Sequence, residues 1–436
     1  MYKNLVYGVN TLVPLADESK VPYINFDNAA TTPPFISVMD KINDFCPYYS
    51  SVHRGTGYKS ILSTQLYEQA RNIVLDFVKG DPSYHTVIFL QNTTQAINKL
   101  SYRLMDEIQD DIVLSTYMEH HSNDLPWRYR YNTDYVDLDN SGRLSLEHLE
   151  YLLKKYKGKV KLLTVTGASN VTGYINPIHE MAELAHRYGS KILVDGAQLI
   201  PHHPVDLKPV GHPQHIDYIV FSGHKMYAPF GTGVLIAPKN KFEKGISEYI
   251  GGGTVDLVTP KEVRWLPPPY REEAGTPNLL GVIALIESIN TLQRLNMEKI
   301  SKYEKDLTRY TLENIKTVPN LILYDDEDIE NKVSILSFNI QGLYHETVAI
   351  ALALEEGIAV RNGCFCAQPY IQKLLNISMD NIDKYKENED FPRPGTVRIS
   401  YGLYNNHKEI DNFIDLLKRI GNNIEYYHLK YRKPSF

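Results

Sequence analysis

Residues 217–238 read DYIVFSGHKMYAPFGTGVLIAP. Two short apolar runs, DYIVFSG (217–223) and GTGVLIAP (231–238), flank a polar elbow that carries Lys225. Runs of this length and β-branched content read as buried strands. HTVIFL (85–90), DIVLST (111–116), VKLLTVTG (160–167) and SKILVDGAQ (190–198) share the character. Between several of them lie periodic helical stretches such as LEHLEYLLKKY (146–156) and PIHEMAELAHRYG (177–189). Strand–helix–strand repetition with apolar strands predicts an α/β fold whose parallel or mixed sheet is covered on both faces.

After RWLPPPYREEAGTPN (264–278) the texture changes. One long helical run, 279–315, leads into KVSILSFNI, HETVAIALALEEGIAV, GTVRISYG and a closing helix, HKEIDNFIDLLKRI. This predicts a large α/β domain over 21–285 and a smaller α+β domain over 286–436, with residues 1–20 packing on the latter. The polar, proline-bearing insert 376–395 reads as an exposed loop.

Composition narrows the function. Hydrophobic residues make up 43% and charged residues 22%, the balance of an ordinary globular protein. A net charge of −6 argues against a nucleic-acid surface, which needs clustered positive charge. No apolar run approaches the roughly 18 residues of a membrane span, and the first residues lack the pattern of a secretory signal. Three cysteines do not make a disulfide framework, so a reducing, cytoplasmic setting is expected.

Ligands of open α/β sheets bind at the carboxyl ends of strands. The residues following the predicted strands are Asn92, Thr93 and Thr94; His120 and His121; Asn170; Asp195 and Gln198; Ser222, His224 and Lys225. Each alone is weak. Together they offer an anion cradle at a helix start, a carboxylate at a strand end and a lysine, the parts that a pyridoxal 5'-phosphate site needs.

These segments carry a specific resemblance. SGHKMYAPFGTGVL, with FDNAATTPP, NTTQAIN, MEHHSNDLPW, SNVTGYINPI, VDGAQLIPHHPVD, EAGTPN and RNGCFCAQP in the same order, resembles the class V, fold-type I aminotransferase superfamily, and especially its cysteine desulfurases. The match runs from about residue 25 to the final helix and is most similar to the group of SufS-type desulfurases and selenocysteine lyases. It implies a homodimer that converts L-cysteine to L-alanine, leaves the sulfur as an enzyme persulfide and passes it to an acceptor protein. L-selenocysteine is a further substrate to weigh. A selenocysteine lyase, a β-elimination lyase or an aminotransferase on the same site, or a relay partner binding the cofactor, are the alternatives.

The resemblance also implies roles. Lys225 would be the Schiff-base lysine and the base for the substrate Cα proton; His120 would stack on the cofactor ring and be catalytic through a further acid/base role. Asp195 would pair with the ring nitrogen, with Gln198 and Asn170 near the phenolic oxygen and substrate. Thr93, Thr94, Ser222 and His224 would hold the phosphate, joined by Thr276 of the other subunit. Arg398 would fork onto the substrate carboxylate, and His53 and Arg54 would lie near the substrate. Cys366, on a loop read as mobile, would be the nucleophile, with Arg361 favouring its thiolate. The GCFC loop is similar to that of molybdenum cofactor sulfurases, with Cys364 and Phe365 where the desulfurase group commonly has histidines. Cys364 reads first as a small packed filler, His121, His202 and His203 as packed or solvated side chains, and Cys46 as inert. No metal site is expected: neither HH nor CFC has zinc-ligand spacing.

Overall fold

A computed structural model of the 436-residue chain describes residues 2–324, 328–388 and 392–431. Its centre is a seven-stranded sheet of β1 (His85–Leu90), β2 (Ile112–Thr116), β3 (Asn132–Val136), β4 (Val160–Thr166), β5 (Lys191–Asp195), β6 (Tyr218–Ser222) and β7 (Gly233–Pro238), in the spatial order β1–β7–β6–β5–β4–β2–β3. β7 runs antiparallel to both neighbours and every other pairing is parallel. Six carboxyl ends therefore open on one edge, with the amino end of β7 among them.

The apolar strands follow from burial on both faces. Tyr218 and Val220 join a core with Leu162, Leu193, Leu235 and Trp127. Their neighbours Ile219 and Phe221 join a separate core with Leu163, Val194 and Val234. A strand that alternates between two dry faces has no polar positions to spare. β3, one of the two edge strands, is the exception: NTDYV buries only Val136, whereas the other edge strand, β1, is buried along nearly its whole length.

A second sheet holds β8 (Leu321–Leu323), β9 (Ile335–Ile340), β10 (Arg361–Gly363) and β11 (Thr396–Ser400), antiparallel in the order β8–β9–β11–β10. Its core packs Leu336, Phe338 and Ile399 against Leu352, Phe413 and Leu417. The division of the chain into two parts is proposed on these two sheets; residue 285 itself lies within the helix Leu279–Leu295. The N-terminal segment reaches the second sheet's side of the molecule. Ala16 donates its amide to the Leu354 carbonyl (3.0 Å), and Ile24–Asn25 pairs in parallel with Ile358–Ala359.

Two expectations change in detail. The helical run 279–315 is two helices, because Asn296 turns to φ 71° and accepts the amides of Glu298 and Lys299 on its side chain, starting Met297–Ile315 afresh. The insert read as a loop holds a helix, Met379–Glu387, capped by Ser378. None of its residues is buried, so no apolar stripe marked it in the sequence. Residues 389–391 of that insert lie outside the described residues. Among the described residues no helix is long and apolar enough to cross a membrane.

Candidate active site

The strand ends build one wall of a cavity of about 230 Å³. Asp195 closes β5, and Ser222 closes β6 just before the turn Gly223–Lys225. Asp195 and Lys225 both line the cavity. Burial pushes the Lys225 amine down to about 8, against the pull of Asp195 and Cys366 and with the push of Arg398. Burial likewise raises the Asp195 carboxyl, while the Ala197 amide (3.0 Å) and Lys225 act to lower it.

Above them starts the helix Thr93–Arg103, with Asn92 as its cap accepting the Gln95 amide (2.9 Å). Thr93 donates its amide to Ser222 Oγ (2.8 Å), and the two hydroxyls meet at 2.6 Å. The helix start is seated directly on β7, because Gly233 has no side chain there. A Cβ at Gly233 would lie 2.4 Å from the Asn92 carbonyl carbon. Amides and hydroxyls at a helix amino end, with His224 beside them in the lining, form a cradle suited to an anion.

His120 follows β2 and lines the cavity. Its Nδ1 accepts the Ser122 amide (3.1 Å), so the neutral ring carries its proton on Nε2. Burial, then the charges of Lys225, His121 and Arg398, push its pKa down to about 3, which keeps the ring neutral. Under the turn sits Glu119, pushed up to about 8 by burial. It accepts Thr116 Oγ1 (2.7 Å), Asn123 Nδ2 (2.6 Å) and the Thr166 amide (2.8 Å), fixing the end of β2 to that of β4.

The opposite wall comes from the second sheet. Arg398, on β11, is 3% exposed; it donates to Asp27 Oδ1 (2.8 Å) and to the Asn170 carbonyl (2.9 Å) and lies over the Phe365 ring at 4.8 Å. Its Nε–H is buried without a partner. Arg361, also in the lining, reaches Asp27 Oδ2 at 3.6 Å. Phe365 and Cys366 both adopt positive φ (51° and 55°), bending the chain so that both line the cavity while Cys366 stays exposed. Cys364 is half-buried, packs against the core and donates its thiol to the Pro394 carbonyl (2.9 Å); burial raises its pKa.

The loop read as mobile is tied down at several points. Asn170 Nδ2 donates to the Phe365 carbonyl (2.7 Å), and the His121 amide donates to the Cys366 carbonyl (2.6 Å). Gln368 donates its amide to His121 Nε2 (3.2 Å), and Ala367 donates to the Cys364 carbonyl (2.9 Å).

One cavity thus gathers Thr93, Thr94, His120, Asn170, Asp195, Gln198, Ser222, His224, Lys225, Cys366 and Arg398. His53 and Arg54, expected near the substrate, stand apart from this cavity, as does Thr276, which is expected to serve the other subunit's site. Thr276 lines a neighbouring cavity with Tyr249 and Gly252, and His53 and Arg54 line another that shares Glu273, Gly275 and Pro277 with it. His53 is held by Glu68 (2.8 Å) and Arg54 by the Val255 carbonyl (2.7 Å). Asp27, Ala29, Ala30, Ser122 and Thr166 went unnamed in the sequence reading, although FDNAATTPP and MEHHSNDLPW contain four of them. His202 is buried on Glu304 (2.8 Å), and His203 lines a cavity elsewhere. Among the described residues no group of three His, Cys, Asp or Glu side chains could hold a metal ion.

Fold and site together define a fold-type I α/β transferase, with lysine and carboxylate at neighbouring strand ends. The family model for class V aminotransferases matches residues 24–413, and the chain belongs to that family, whose chemistry implies pyridoxal 5'-phosphate. A probable cysteine desulfurase of Halalkalibacterium halodurans is 34% identical over 93% of this chain and 95% of its own length. Another, from Mycolicibacterium paratuberculosis, is 35% identical over 92% of this chain, which spans only 55% of that protein. The apo structure of the cysteine desulfurase of Thermococcus onnurineus NA1 superposes with a TM-score of 0.82 at 30% identity, covering 92% of this chain and 95% of that one.

Proposed function

We propose that this chain is a pyridoxal-phosphate-dependent cysteine desulfurase that forms L-alanine from L-cysteine and retains the sulfur as a persulfide on Cys366. The observation that carries the reading is that Lys225, Cys366 and Arg398 all line one cavity. Desulfurase relatives that match over nearly their full length support it.

The side chains fit the cofactor. The helix start at Thr93 with Ser222 and His224 would take its phosphate, Asp195 its ring nitrogen and Lys225 its aldehyde. Gln198 donates Nε2 to the Ala29 carbonyl (2.7 Å) and leaves its buried Oε1 unpartnered, a polar atom facing a ligand-sized space. Bound there, the group would serve as the electron sink for the carbanion formed at the substrate Cα. His120, neutral and with its Nε2 proton available, would lie against the ring.

The chain's own residues do the rest. Arg398 holds the substrate carboxylate, using donors left over from Asp27 and Asn170, among them the unpartnered Nε–H. Lys225, an amine that is uncharged above about pH 8, removes the Cα proton. The Cys366 thiolate then attacks the substrate sulfur. An S–S bond forms, the substrate C–S bond breaks with its electron pair left on the carbon fragment, and protonation of that fragment gives alanine. The net change is cysteine plus enzyme thiol to alanine plus enzyme persulfide. Sulfur held in this way needs free thiols; Cys46, Cys364 and Cys366 are all unpaired, which supports a reducing, cytoplasmic setting. A second copy of the chain, with Thr276 presented to its neighbour's cofactor, and a protein acceptor for the persulfide complete the proposal.

The test is direct. L-cysteine should yield alanine and a trapped persulfide on Cys366, and borohydride reduction of the holoenzyme should leave pyridoxyl on Lys225. Label on another lysine, or no alanine, would end this reading.

A further inference from the structure

Two adjacent histidines follow β2, and only one faces the cavity. His120 accepts the Ser122 amide on Nδ1, whereas His121 accepts the Gln368 amide on Nε2. A backbone amide always donates, so the neutral rings hold opposite tautomers: Nε2–H on His120 and Nδ1–H on His121. Burial lowers the His121 pKa, Asp124 opposing and Arg128 reinforcing, which favours the ring form that can accept. His121 makes a second bond with its backbone, donating to the Cys366 carbonyl at 2.6 Å. The carbonyl of Cys366 and the amide two residues on are thus both fastened to one residue of a different element. That residue is the next one after His120. On the far side, Asn170 Nδ2 holds the Phe365 carbonyl at 2.7 Å.

We propose that His121 is the positioning residue for the Cys366 thiol, locking the cysteine loop to the turn that carries His120. The inference rests on the desulfurase reading for its kinetic consequence, but the lock itself does not. Phe365 and Cys366 are both held at positive φ, a conformation costly for side-chain-bearing residues unless neighbours impose it. Of the two bonds His121 makes to the loop, the ring bond to Gln368 is the one a side-chain substitution at this position removes; the backbone bond survives it. His121→Leu removes the acceptor at similar size. His121→Gln places Oε1 where Nε2 stood and restores an acceptor.

Three measurements on the holoenzyme test the idea. Hydrogen exchange at the Gln368 amide should quicken about fivefold in His121→Leu, the worth of one hydrogen bond, and return toward wild type in His121→Gln. The kcat for alanine from L-cysteine should fall by a similar factor with KM unchanged, and Gln should rescue it. Turnover of L-selenocysteine should not change, because a selenol departs without a thiolate to pull it. Unchanged exchange at Gln368 in His121→Leu would overturn the lock. So would equal losses on both substrates, or no difference between Leu and Gln, since these describe general damage to the fold. If the wild-type enzyme makes no alanine from cysteine, the desulfurase reading fails by itself, and exchange at Gln368 still decides the lock.

Discussion

Lys225 and Cys366 line the same cavity, but different physics holds each in place. Lys225 follows directly from β6, whose neighbours on either side are fully paired strands with dry cores on both faces. Its environment comes with the fold: burial and Asp195 act on it from the sheet itself. Cys366 sits on a loop between β10 and the helix Gln368–Leu374, in a backbone conformation that no secondary structure supplies. It is placed by single hydrogen bonds from Asn170 and His121, residues of the first sheet's loops. Lys225 is built into the scaffold, and Cys366 is fastened to it. Fastening by a few bonds of about 1 kcal/mol each positions a thiol yet lets it be released, as the proposed transfer of sulfur to another protein would require.

Separating the two walls should have its largest effect at Cys366. Cys366→Ala should lower alanine formation from L-cysteine by at least about a hundredfold, with L-selenocysteine turnover and borohydride labelling of Lys225 preserved; product analysis on both substrates reads this. Loss of both activities together would mean that the walls are not independent. The Lys225 side is probed by pH. Only the uncharged amine condenses with an aldehyde, so the rate at which apoprotein takes up pyridoxal phosphate should fall about tenfold per pH unit below pH 8 and level off above it. Stopped-flow absorbance across that range would show it, and a midpoint near the ordinary lysine value would mean burial does not tune this amine. Cys364→Ala should have the smallest effect. It removes one thiol-to-carbonyl bond and a little packing, so stability should drop by about 1 kcal/mol, with single-turnover persulfide formation changed less than about twofold. Mass spectrometry after one turnover checks this; a large loss would give Cys364 a place in the chemistry.

The same contrast explains what the sequence could show. β1, β2 and β4 through β7 were legible because a strand buried on both faces must be apolar throughout, and their polar ends then stand out as site residues. β3 was not, since a strand with one buried residue looks like loop. The helix break at Asn296 turns on a single backbone angle, and the exposed helix Met379–Glu387 has no buried face to give it periodicity. On the Cys366 side, motif resemblance picked out Arg398 and the cysteine, but their supports were invisible. Asp27 pairs with Arg398 across 371 positions, and His121 meets Gln368 across 247. No local pattern encodes such distant pairs.

Those separations have a consequence for how the protein is made. Asp27 bonds Arg398, and the Ala29 amide bonds Ser400 Oγ, each pair 371 positions apart. A growing chain that has released the first seven strands already owns Lys225, Asp195 and His120, and domains tend to fold as they emerge. It cannot yet own the wall opposite. The segment around Asp27 must wait, with its partner strand unsynthesised, until β11 arrives close to the end of translation. Pairings this far apart in sequence are slow to find. The lysine thus stands in an open half-site while the stretch from Lys225 to Thr396 is made, and the last strand to arrive completes the pocket.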